Sequence, residues 1–150
     1  MISLDVVTLF TNVPIDLAIE SLDEIYRKHP EIGEKFTIPW KDMINLIKLC
    51  MSSSVFQFED KFYEQHHGAP MGSPLSPVLA NAAMDKLERE LVPGFGEKVL
   101  IWTRYVDDIF AIVDSEHIQT ILSSINSYRE RISFTVEVER GDAFRILTCS

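Results

Sequence analysis

No apolar run in the sequence approaches the roughly 18 residues that a membrane-spanning helix needs, so no membrane association is expected. The start, Met1-Ile2-Ser3-Leu4-Asp5, has no basic stretch ahead of a hydrophobic one and no secretory pattern. Cysteine is scarce. Cys50 and Cys149 stand far apart with no partner at metal-ligand spacing, which excludes a disulfide framework and points to a reducing, intracellular setting. Basic charge is short as well: 14 Lys and Arg face 23 Asp and Glu, for a net charge of −9. Affinity for a nucleic-acid backbone rests on cations that neutralise phosphates. The chain is therefore not expected to grip nucleic acid alone, although a basic clamp could lie in another part of a longer protein. Internal repeats and low-complexity tracts are also missing.

What is present is ordinary in bulk. At 150 residues, 46% apolar and 25% charged, the chain has the length and composition of one globular domain with a real core. Ile2 to Leu9 is short and rich in β-branched residues and reads as a strand. Phe10-Thr11-Asn12-Val13-Pro14 breaks it, and Ile15, Ala18, Ile19, Leu22, Ile25 and Tyr26 follow helical spacing as far as His29-Pro30. A second helix starts near Pro39-Trp40 and ends at Ser52-Ser53-Ser54. Val55 to Glu59 and Phe62 to Glu64 form a predicted hairpin with a turn at Asp60-Lys61. His66-His67 lies on extended chain, where neighbours point to opposite faces, and is read as a solvated loop. A helix carrying Val78, Leu79, Ala82, Ala83, Leu87 and Leu91 is expected to stop before Pro93-Gly94. Another starts at Ser115-Glu116, and Phe134 to Glu139 alternates as a half-buried strand. Gly141-Asp142 then turns the chain into a weak strand over Ala143 to Cys149.

Three stretches depart from local rules. Asp5 sits in the middle of an apolar strand, where a buried carboxylate is costly unless paired or bound to a metal; an edge strand with Asp5 solvated is the other reading. Gly68-Ala69-Pro70-Met71-Gly72-Ser73-Pro74-Leu75-Ser76-Pro77 makes a loop of fixed shape at a helix N-terminus. Such a loop can seat a phosphate or a sugar-base face, or it can be a long capped turn. It lacks the spacing of a Walker loop and of the dinucleotide-binding glycines. Thr103-Arg104-Tyr105-Val106-Asp107-Asp108-Ile109-Phe110-Ala111-Ile112 sets two aspartates between strand-like runs without a glycine. That is poor turn chemistry, and either a merely acidic turn or an oxygen-ligand site for a hard cation.

The element order fits a split βαβ plan once the segment between the first helix and the Gly-Pro loop is set aside. In that plan the strand of Asp5 and the Asp-Asp hairpin are neighbours in one antiparallel sheet, and Asp5 and Asp107 could lie side by side. Three carboxylates so placed could hold two divalent ions for in-line phosphoryl transfer. Departures from local rules tend to fall at functional sites.

Asp5 with Phe10, the Gly68 to Pro77 loop and Tyr105-Val106-Asp107-Asp108 resemble, in order, the motifs of a reverse transcriptase palm. The wording of Ser3 to Pro14, of Phe62-Tyr63-Glu64-Gln65 and of Met71 to Asn81 is similar to Penelope-like retroelement reverse transcriptases, and the likeness reaches about Glu139. The resemblance implies an α+β polymerase palm, a ferredoxin-like antiparallel sheet with helices packed on one face, and part of the fingers around 30–66. It implies an RNA-directed DNA polymerase that adds dNTPs to a DNA primer on an RNA template, with two Mg²⁺ ions or, in their place, Mn²⁺. Asp5 and Asp107 would bridge the metals, with Asp108 and the Val6 backbone carbonyl as further ligands. Phe10 would exclude a 2′-hydroxyl, Met71, Gly72 and Ser73 would contact the nucleotide, and Tyr105 would support the primer end. A nuclear location follows from the resemblance alone.

The chain also departs from the family pattern. It starts at the motif strand, where family members have a fingers segment, and residues 140–150 diverge from the expected run toward a thumb, as a frameshift would produce. A palm fragment is therefore expected, needing flanking fingers and thumb and extending primers poorly by itself. The alternatives are a catalytically inactive retroelement remnant, a ferredoxin-like interaction module, and, disfavoured by Phe10, an RNA-templated RNA polymerase palm.

Overall fold

The structure is a computed structural model that describes residues 1–52 and 55–139. The expected helix end at Ser53-Ser54, the turn at Gly141-Asp142, the final strand and the divergent tail lie outside the described residues. In chain order the elements are β1 (Ile2–Val6), α1 (Leu9–Asn12), α2 (Ile15–Lys28), α3 (Trp40–Ser52), β2 (Val55–Phe58), β3 (Lys61–Glu64), α4 (Leu75–Phe95), β4 (Val99–Tyr105), β5 (Asp108–Val113), α5 (Ile118–Asn126) and β6 (Phe134–Val138), with short 3₁₀ turns between some of them. The chain forms two compact units. Among the described residues, one comprises Met1–Val7 and 91–139; the other is Thr8–Glu90.

The first unit is built on a four-stranded sheet in the order β4-β5-β1-β6, antiparallel throughout. This is the strand order of a split βαβ, ferredoxin-like plan, and the α+β class expected from the sequence is the one observed. Period-two alternation decides which side chains are covered. Ile2, Leu4 and Val6 of β1 and Ile109 and Ala111 of β5 are buried, while Asp5 and Asp108 are exposed. α5 lies against β6 and buries Ile118, Ile121 and Ile125. Asn126 ties the two together, accepting from the Phe134 amide at 2.6 Å and donating to its carbonyl at 3.2 Å.

β1 thus resolves the Asp5 question in a way neither sequence reading anticipated. The strand is central, not an edge, yet Asp5 is exposed because it projects from the open face of a sheet covered on the other. The strand also ends at Val6 rather than Leu9, because Thr8 turns into the left-handed region (φ 47°) and Leu9 opens the one-turn helix α1.

In the second unit, α2 buries Leu17, Ala18 and Ser21, and α4 buries Leu79, Ala80, Ala83, Met84 and Leu87. α4 begins at Leu75, whose amide donates to Ser73 Oγ at 3.3 Å. Pro77 sits in the first turn, where no intrahelical N–H is required. The expected stop before Pro93 is not observed. The helix runs to Phe95, forgoing at Pro93 the one bond to the Arg89 carbonyl, and Gly96 (φ 56°) then ends it in the left-handed conformation. The β2–β3 hairpin turns at Glu59-Asp60, both with positive φ as a two-residue I′ turn requires, one residue earlier than the sequence suggests.

Candidate active site

The Asp-Asp hairpin closes through a two-residue turn, Val106-Asp107, between Tyr105 and Asp108, which pair directly across β4 and β5. Val106 takes φ 58° and Asp107 does not share a positive φ. A positive φ at the first central residue alone belongs to a II′ turn, which favours glycine there. A β-branched residue in that conformation is a true outlier, and such strain tends to sit at functional sites. Arg104 Nη1 donates to the Val106 carbonyl at 3.1 Å, and the Val6 amide donates to the Asp107 carbonyl at 3.2 Å. Turn and central strand are thereby locked at the point where the carboxylates emerge.

The turn also sets the register. Asp108, not Asp107, stands directly opposite Asp5, and both are exposed. Asp107, half-buried, occupies the second turn position. Asp5 has a pKa above the ordinary carboxylate value. Desolvation is the leading cause, followed by repulsion from Asp107, Asp108 and Glu137, against a hydrogen bond from the Val6 backbone. Asp107 therefore bears on Asp5 more strongly than the residue facing it. Glu137 was not foreseen. It pairs with Ser3 across β1 and β6, two residues along β1 from Asp5 and so on the same face. The signal available in the sequence was the alternation of Thr135 and Glu137 in a strand, but only the strand order makes β6 a neighbour of β1.

The donor set is all oxygen, which suits hard divalent cations. Among the described residues no three His, Cys, Asp or Glu side chains are grouped so as to chelate an ion unaided. Mg²⁺ fits such an arrangement, because it is ordinarily held by one or two carboxylates completed by substrate phosphates and waters. Tyr105 is 81% exposed on the strand that leads into the turn, and the Val6 side chain is buried.

The remaining sequence-predicted residues gather in the second unit. Phe10, Met71, Gly72 and Ser73, with Pro74, Ser76 and Pro77, line a cavity of about 380 Å³, within the usual range of small-ligand pockets. The Gly-Pro loop is anchored to the α1 segment. The Ala69 amide donates to the Phe10 carbonyl at 2.7 Å, and Ser76 Oγ donates to the Pro70 carbonyl at 2.5 Å. Gly68 (φ 72°) is pressed so close that a Cβ would lie 2.3 Å from the Thr11 carbonyl oxygen. Gly72 (φ 95°) is different: a Cβ there would meet nothing within 4 Å. Met71 is 73% exposed at the rim, and Phe10 is half-buried.

A ferredoxin-like antiparallel sheet that bears clustered carboxylates at a strained hairpin, in a chain that also carries an apolar cavity under a Gly-Pro loop, defines an α+β domain of the polymerase-palm type. The chain belongs to the reverse transcriptase (RNA-dependent DNA polymerase) family, whose model matches residues 1–141. Its fold is similar to that of an apo telomerase from Candida tropicalis truncated from its C-terminal domain, with a TM-score of 0.63 at 12% identity over 94% of this chain. The chain spans 31% of the length of that telomerase chain. No protein of curated function matches the sequence. Among the described residues no helix is long and apolar enough to cross a membrane.

Proposed function

We propose that the chain is the palm of an RNA-directed DNA polymerase from a retroelement of the Penelope-like kind, working in the nucleus. It would act on an RNA template, a DNA primer and dNTPs, with the segment around 30–66 as part of the fingers. The observation that carries this reading is the pairing of Asp5 with Asp108 on the open sheet face, with Asp107 in the strained turn next to them, in a member of the reverse transcriptase family. Desolvation, and after it repulsion from Asp107, Asp108 and Glu137, raises Asp5's pKa, and a divalent cation would offset that penalty on the charged form.

Asp5 and Asp107, with Asp108 and the Val6 carbonyl beside them, would hold two Mg²⁺ or Mn²⁺ ions, which supply charge neutralisation on transferring phosphates and a lowered pKa for the primer 3′-hydroxyl. The Phe10 cavity would hold the sugar and base of the incoming nucleotide. The Phe10 ring would fill the space of a 2′-hydroxyl, Met71 would give an apolar contact, and the bare backbone of Gly72 with Ser73 would let the loop approach closely. Tyr105, exposed beside the turn, would support the primer end.

Two measurements test this. Mn²⁺ binding in the presence of a dNTP, followed by electron paramagnetic resonance, should weaken at least about tenfold in Asp107→Asn and in Asp5→Asn. Unchanged binding in both would sink the metal assignment. In primer extension on an RNA template, Phe10→Ala should raise ribonucleotide use by about 100-fold relative to deoxynucleotide use. An unaltered ratio would return Phe10 to simple packing.

A further inference from the structure

A second cavity, of about 420 Å³, lies between α2 and α3 and shares no residue with the Phe10 cavity. Its aromatic wall is Trp40, whose ring is fixed twice over. It stacks on Tyr26 at 4.3 Å and 2° between planes, and its Nε1 donates to Asp23 Oδ1 at 3.0 Å. Ile19 and Ile44 continue the apolar surface. Along α3, Lys41, Asn45 and Lys48 complete the lining, all three exposed. The two ammonium groups form no ion pair among the described residues. The carboxylates across from them are occupied: Asp23 by Arg27, and Glu20 by Lys86 at 3.6 Å. The cavity thus offers two unengaged cations and a free amide beside a rigid aromatic plate, although the chain as a whole is acidic.

We propose that this groove binds a nucleotide unit through its phosphate, the base resting against Trp40 and the phosphates on Lys41 and Lys48. A pre-fixed aromatic wall beside cations is how single-stranded nucleic acid is held without sequence preference, since every base has a π-face. The two lysines are seven residues apart, two turns and about 10.5 Å along a helix, so they face the same way and can meet neighbouring phosphates of one strand. The Asn45 amide can donate to and accept from a base edge. An acidic peptide would use the lysines but leave the aromatic wall unmatched. The choice of a nucleotide rests on the family's nucleic-acid chemistry, but the site does not depend on polymerase activity.

The test is direct binding, with no incorporation step. The chain contains two tryptophans, so Trp102→Phe leaves Trp40 as the reporter. Titration with an oligouridylate octamer should quench Trp40. The double variant Lys41→Gln, Lys48→Gln, confirmed folded by circular dichroism, should bind the octamer about tenfold more weakly, and the slope of log affinity on log salt should fall by about 1.4. Anisotropy of a labelled octamer on chain with both tryptophans gives the same comparison if Trp102→Phe is poorly folded. Uridine monophosphate binding as tightly as the octamer would identify a free nucleotide as the occupant; a much tighter octamer would identify a strand. Equal octamer binding by the double variant, or inorganic phosphate competing as well as uridine monophosphate, would overturn the proposal.

Discussion

At Val106 the backbone adopts a conformation that suits glycine, and at Asp5 and Asp108 two like charges face each other across adjacent strands. Both cost stability. Like charges directly opposite in a sheet destabilise by about 0.2–1 kcal/mol. The sign of the Asp5 effect follows from its raised pKa. The folded state favours the protonated carboxyl, so the penalty is absent below the unfolded pKa and complete once pH exceeds the folded one. Asp5→Asn should therefore raise Tm by about 1–3 °C at pH 7, with the gain shrinking toward pH 3. A thermal scan showing Asp5→Asn less stable at pH 7 would contradict this. The two loop glycines separate in the same way. Gly68→Ala drives a Cβ into backbone and should cost about 2–4 kcal/mol. Gly72→Ala meets open space and should cost only about 1 kcal/mol of conformational strain. Denaturant midpoints of the two variants check the order. Asp5, the Asp107-Asp108 pair and the Gly-Pro loop were legible as anomalies of residue type, whereas Phe10, Met71, Tyr105 and the Val6 carbonyl were singled out only by the family resemblance. Gly68's role was not legible, because what it touches, the Phe10-Thr11 backbone, lies far away in sequence.

Helices α2 and α4 are joined by charges that no spacing rule could have paired, with i,i+4 pairs inside α4 beside them. The Lys86 side chain is 8% exposed and bonds Glu24, with Glu20 and Glu90 nearby; Arg89 reaches Glu24 at 3.1 Å, Asp85 at 2.9 Å and the buried Ser21 hydroxyl at 3.0 Å. Hydrogen bonding to Lys86, then to Arg89, lowers the Glu24 pKa, and the same bond to Glu24 raises that of Lys86. Glu24 contributes stability above its unfolded pKa that is lost as pH falls through its lower folded value. Lys86's share persists until pH rises past its raised one. Glu24→Ala leaves Lys86 partly unpaired and should cost about 2–3 kcal/mol, below the usual figure for a buried pair because Glu24 is a third exposed. It should also flatten the loss of stability between about pH 5 and 3. Denaturant unfolding across pH measures both. The apolar spacing of these helices was readable in the sequence, whereas the end of α4 was not. A proline rule assumes a helix interior, and Pro93 sits in a final turn.

Net charge acts on the whole molecule. At −9 the chain repels a polyanion except where lysines cluster. Its affinity for a primer–template duplex should be weak, and with few cations to neutralise phosphates it should depend only shallowly on salt between about 50 and 200 mM. Filter binding that is tight and falls steeply with salt would contradict that. The sequence by itself determined the apolar periodicities, the acidic and Gly-Pro departures and the order of the motifs, because these depend only on neighbours a few residues away. The element order already set β1 beside the Asp-Asp hairpin in a split βαβ sheet. The tertiary structure alone decided the register that faces Asp108 toward Asp5, the arrival of Glu137 on that face and the Lys86 cluster. Each arises from contacts between residues tens of positions apart, and no local pattern records which distant strand or helix will bury a given face.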